Sequence, residues 1–209
     1  MKEYSAYLFD MDNTLVDSSR GYERAFRAAF KEYGIPYDPM RYGEYIRSPL
    51  EATFSKHVGN APCKYRDFYS IFANTYERTH LDSLSLFPDA SRCIAELSAA
   101  GKKLGIVSNS ETRYITAILS KLGVFGLFDS LVGYDRVSSP KPDPEPVALG
   151  MRELGSAPSE TIMVGDSAND ITAGNSAGTD TMLVVRDGVA VSGCMPTRLT
   201  ADLTCLLEP

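Results

Sequence analysis

Paired cysteines, basic clusters and long apolar runs are all missing from this chain of 209 residues. Cys63, Cys93, Cys194 and Cys205 are widely scattered and make no C-x-x-C pair. The reading is therefore of reduced thiols in a cytoplasmic protein, not of a disulfide framework. The formal charge is -6 and no dense group of Lys and Arg offsets it, which argues against a nucleic-acid partner. The opening MKEYSAYLFDMD has only a short apolar stretch before its acids, so neither a secretory leader nor a membrane span is expected there. His57 and His80 stand alone, with no partner spacing, and are assigned nothing. Internal repeats and low-complexity segments are absent too.

What remains is ordinary globular material, 44% hydrophobic and 23% charged, enough to bury a sizeable core. Short apolar runs end in polar residues at 4–9, 103–107, 130–134, 161–165 and 180–185. Between them lie helical patterns that finish at or near glycine: DASRCIAELSAAG, ETRYITAILSKLG, PEPVALGMRELG and NDITAGNSAG. Strand alternating with helix implies an α/β fold with a parallel sheet covered on both faces.

The segment 19–87 has a different character. It is slightly basic and holds most of the aromatic residues. Tyr22, Phe26, Ala29, Phe30 and Tyr33 share one helical stripe, with Ser18 or Ser19 as a cap and Gly34 as a stop. Tyr65, Phe68, Tyr69, Phe72 and Tyr76 repeat the spacing, and short helices are expected around 40–47 and 49–58. An all-helical unit at 19–87 is thus inserted into a core made of 1–18 and 88–209.

Ligands bind beyond the carboxyl ends of parallel strands. Asp10 follows the first run, Ser108 and Asn109 the second, and Asp166 the fourth. Lys141 sits in SSPKPDPEP, where prolines keep the chain extended. Asp10 and Asp12, two apart, face one side if the chain there is extended. Like charges gathered in one place need a cation between them, and hard carboxylate oxygens suit Mg²⁺. Ser108 and the amides opening the next helix can hold phosphate oxygens, while Lys141 neutralises charge, a combination that suits phosphoryl transfer. Each residue has a plainer reading as well. Asp10, Asp166 or Ser108 can serve as a helix cap, Lys141 as a solvated lysine, and Asp170 as a first-turn acid favoured by the helix dipole.

DMDNT, SN, the lysine of PKPDPEP and GDSANDITAGNSAG, in this order from Phe9 to Gly178, resemble the four motifs of the haloacid dehalogenase superfamily. The subgroup resembled carries a helical cap between the first two motifs. The resemblance implies a Rossmann-like core with a cap that reads the substrate. Asp10 would be the nucleophile, already ionised at neutral pH, and Asp12 the general acid and then base. Mg²⁺ would be held by Asp10, the Asp12 carbonyl and Asp166, with Asp170 orienting a bound water or Lys141. Thr14, Ser108 and Asn109 would contact the phosphoryl group, and Lys141 would bridge it to Asp10. Asp12 distinguishes this chain from the family's dehalogenases and phosphonate-cleaving members, which lack that acid.

The expected activity is Mg²⁺-dependent hydrolysis of phosphomonoesters of small metabolites, like phosphoglycolate phosphatases. A phosphosugar mutase like β-phosphoglucomutase shares every residue named, and an inactive relative with a binding role is a third reading. Arg47, in YIRSPLEATF, is a candidate for a second anion on the substrate, or else an arginine on a wet helix face. A small phosphorylated metabolite is the partner expected of a monomer or homodimer.

Overall fold

The computed structural model describes residues 2–47, 50–59, 62–186 and 193–208. The chain divides into two compact units, one of 1–17 and 85–209 and the other of 18–84.

The first unit is built on a parallel sheet of β1 (Ala6–Phe9), β4 (Lys103–Val107), β5 (Ser130–Val132), β6 (Thr161–Gly165), β7 (Asp180–Val184) and β8 (Arg198–Thr200). Their order is β5-β4-β1-β6-β7-β8. β1 is therefore central, and the chain builds outward first on one side of it and then on the other, which creates a switch point at its carboxyl end. The strand β1 reads as an unbroken apolar run because it is buried on both faces. Ala6 and Leu8 pack with Val107, Val147, Met151 and Met163, while Tyr7 and Phe9 stack at 6.3 Å on the opposite side. α5 (Pro88–Ala99), α6 (Thr112–Lys121), α7 (Glu145–Leu154) and α8 (Ala168–Ser176) are the connecting helices. Two short strands, β2 (Val16–Asp17) and β3 (Ser85–Leu86), pair antiparallel at the ends of the sheet unit's two pieces.

Three of these strands lie outside the sequence reading: β2, β3 and β8. Each has only two or three residues, too few to show a period, and each exists through its pairing.

The second unit is helical: α1 (Ser19–Glu32), a 3-10 turn at Pro39–Arg41, α2 (Tyr42–Arg47), α3 (Leu50–His57) and α4 (Pro62–Ser83). Its interior is aromatic, with Phe26, Phe30, Tyr45, Phe54 and Phe68 all buried. Phe30 lies within 6 Å of the rings of Phe26, Tyr45, His57 and Phe68, stacked on the first and tilted or edge-on to the others. Gly34 ends the first helix as expected: at φ 67° it lets the Ile35 amide return to the Phe30 carbonyl. Ser18 stands at the N-cap, but at φ -95° and ψ 1° it lacks the extended conformation usual for a cap, and its hydroxyl makes no cap bond. No described helix is long and apolar enough to cross a membrane.

Candidate active site

β1 stays in register with both neighbours to its last residue, Phe9 opposite Ile106 and Val164. The residues that follow these strands therefore emerge at one level of the sheet. Asp10, whose amide donates to the Val164 carbonyl at 2.8 Å, and Ser108 are buried there, and Asp166 is half-buried.

Lys141 arrives from the segment between β5 and α7 and is no solvated lysine: it is 4% exposed. Its ammonium donates to Asp10 Oδ1 at 2.7 Å, Asp170 Oδ1 at 2.5 Å and the Val107 carbonyl at 2.6 Å. All three of its protons are thereby placed. Burial pulls its pKa down, but Asp10 and Asp170 overcome this and raise it above the ordinary lysine value, so the ammonium stays charged. The main chain of Lys141 is pinned as well. Its amide donates to Asn109 Oδ1 at 3.0 Å, and its carbonyl accepts from Asn109 Nδ2 at 2.9 Å. The side chain of Asn109 thus holds the lysine loop, and Ser108 Oγ accepts the Ser110 amide at 3.1 Å.

Asp170 combines its two readings. As the third residue of α8 it forms a capping box, its Oδ2 accepting from the Ser167 amide and hydroxyl, while Oδ1 takes the Lys141 ammonium. Gly165 makes room for it: a Cβ there would lie 2.3 Å from the Asp170 side chain. Gly165, quoted above within a motif but given no role, and the Val107 carbonyl both belong to the site. The first had a signal, since a glycine directly before a candidate ligand marks close approach; the second had none.

Oxygens of Asp10, Asp166 and Asp170 lie within 4.8 Å of one another. Burial, and then the neighbouring acids Asp170 and Asp166, hold the Asp10 carboxyl well above the usual carboxylate range despite Lys141. Burial and Asp170 likewise push Asp166 up to about 7, with Asp12 adding to the rise. Burial thus opposes the ionised form of Asp10 expected from the sequence, and that form needs positive charge beside it. Three carboxylates set against one ammonium are short of positive charge, and hard oxygen donors meet that need with a divalent cation. The donor set therefore fits Mg²⁺.

β1 ends at Phe9, so strand alternation does not govern Asp12. The chain turns instead: the amides of Leu15 and Val16 both donate to the Met11 carbonyl, and Asn13 adopts the left-handed conformation at φ 58°. Thr14 is fully buried in this turn, and its Oγ1 has no hydrogen-bond partner among the described residues. Such an orphan hydroxyl is costly unless a ligand oxygen meets it. Arg47 is the last residue of α2, and its side chain lies outside the described residues.

Residues 7–184 match the family model described as haloacid dehalogenase-like hydrolase. Pyrophosphatase PpaX of Bacillus velezensis is 35% identical, the match covering 99% of this chain and 96% of that protein. Phosphoglycolate phosphatase of Aquifex aeolicus is 32% identical over 90% of this chain and 88% of that one. A solved structure from Clostridium difficile shares the fold, with a TM-score of 0.85 and 20% identity over 100% of this chain and 99% of that chain.

Proposed function

Because the chain belongs to the haloacid dehalogenase-like hydrolase family, we propose that it hydrolyses phosphomonoesters of small metabolites through an aspartyl-phosphate on Asp10. The observation that carries this reading is the buried ion pair of Lys141 with Asp10 at 2.7 Å, with Asp166 and Asp170 gathered around it. With Oδ1 held by the ammonium, Oδ2 of Asp10 is the attacking atom. It bonds to phosphorus as the ester P–O bond breaks, and Asp12 delivers its proton to the departing oxygen. The Asp12 carboxylate then takes a proton from water, whose oxygen attacks phosphorus. The bond to Asp10 breaks, releasing phosphate and restoring the carboxylate.

Mg²⁺ held by Asp10, the Asp12 carbonyl and Asp166 would supply charge stabilisation to the phosphoryl oxygens. Asp170, with both oxygens engaged, would act by fixing Lys141. Thr14 Oγ1 and Ser108 would receive the phosphoryl oxygens, and Asn109 would contribute by locking the Lys141 loop. In this reading the helical unit reads the remainder of the substrate, and the protein works in the cytoplasm. Support for a small substrate comes from the names of the two relatives, a phosphoglycolate phosphatase and a pyrophosphatase.

The test is phosphate release from aryl and small aliphatic phosphomonoesters with Mg²⁺, followed by borohydride trapping. Trapping during turnover should convert Asp10 to homoserine, seen by peptide mass spectrometry. Hydrolysis that persists in excess chelator, or trapping at another residue, overturns the proposal. Isomerised sugar phosphate without free phosphate would favour the mutase.

A further inference from the structure

We propose that Arg186, which no motif includes, is a positioning residue that holds the turn carrying Asp10, Asp12 and Thr14 in its working shape. The inference rests on the phosphatase reading. Arg186 lies two residues beyond β7, and its side chain is 15% exposed. The guanidinium forks: Nη2 donates to the Thr14 carbonyl at 2.6 Å, and Nη1 pairs with Asp89 Oδ2 at 2.7 Å. Its Cζ lies over the Phe87 ring, 4.1 Å from the centroid, and the same Asp89 oxygen accepts the Leu203 amide at 2.8 Å. One cation thereby ties together the turn after β1, the entry to α5, the exit of β7 and the 3-10 turn at Leu203–Leu207.

The grip falls where it can matter. The turn is closed from inside by the Met11 carbonyl, which receives the amides of Leu15 and Val16, and Asn13 is left-handed just before Thr14. Fixing the Thr14 carbonyl from outside fixes its peptide plane. That constrains the backbone from which the buried Thr14 side chain projects and, through it, the chain back to Asp12 and Asp10. A largely buried ion pair is a poor means of gaining stability, because desolvation offsets its attraction, whereas a planar fork is a good means of fixing geometry. Misplacing a reacting group by an ångström costs far more in rate than in folding.

Arg186→Gln and Asp89→Asn would be compared with the wild type on an aryl phosphate with Mg²⁺, well below each protein's Tm. For Arg186→Gln the expected result is a fall in kcat of about 10- to 100-fold with KM changed by less than about threefold. The double variant should be no more than about twofold worse than Arg186→Gln alone, as two residues acting through one contact require. Amide exchange at Leu15 and Val16 should quicken while β4 and β6 are unchanged. A lower Tm with wild-type kcat and unaltered exchange at Leu15 and Val16 overturns the inference and leaves the phosphatase reading intact. A wild type without hydrolysis defeats that reading instead, and the exchange data then decide on Arg186 alone. If Arg186→Gln does not fold, Arg186→Lys, which keeps charge but loses the fork, carries the same expectations.

Discussion

In the sheet unit the interior is aliphatic, with Ala6, Leu8, Val107 and Met163 around the central strand, and its buried charges stand just beyond the strand ends. In the helical unit the interior is a set of rings, Phe26, Phe30, Tyr45, Phe54 and Phe68, and among the described residues no comparable carboxylate cluster occurs there. The difference is one of what sets position. Parallel strands are held by main-chain hydrogen bonds, so the residues after β1, β4 and β6 arrive together whatever side chains they carry. Helices have no such ladder between them, and their arrangement depends on ring packing. The sheet unit can therefore afford buried acids that are costly in themselves, whereas the helical unit depends on each large side chain.

The largest effect that would test this contrast is Asp10→Asn. Activity should fall by at least about 10³-fold, as when a nucleophile is removed. In chelator its Tm should hold or rise, because ionising the buried Asp10 is unfavourable; a sharp fall in Tm would show that the acids hold the sheet unit together. Phe30→Ala is the converse. It should cost about 3–5 kcal/mol in the helical unit, read from denaturant midpoints, because four neighbouring rings lose a partner. A loss below about 1 kcal/mol would mean that the rings repack freely.

Gly165→Ala should be intermediate. The new Cβ would sit 2.3 Å from Asp170, driving that carboxylate off Lys141 and lowering kcat about 10- to 100-fold. Wild-type kcat would show that Asp170 has room to spare.

The smallest effect concerns pH. Asp166, at about 7, and Asp10 both have raised pKa values, so the folded state binds more protons than the unfolded chain between about pH 4 and pH 7. In chelator, stability should fall as pH rises through that window. Mg²⁺ competes with those protons, so the Tm gain from the ion should grow from pH 5 to pH 8. A gain that is independent of pH would separate the ion from these acids.

The strand and helix alternation was readable because buried strands are apolar runs and helices close on glycine, as β1, β6 and α7 illustrate. The motif residues were readable through their order and spacing. Other features have no local trace. The bond from the Asn109 side chain to the Lys141 main chain spans 32 positions, and that from Arg186 to Thr14 spans 172. β8 exists only through its pairing with β7.

Residue order alone established the alternation of elements, the aromatic insertion and the chemical types available at each strand end, because these depend on neighbours in the chain. Folding decided which of those groups meet: that Lys141 places all three protons, that Asp170 joins a cap to an ion pair, and that burial raises the pKa of Asp10. Contacts and desolvation arise only when distant segments share one interior, and no local pattern encodes them.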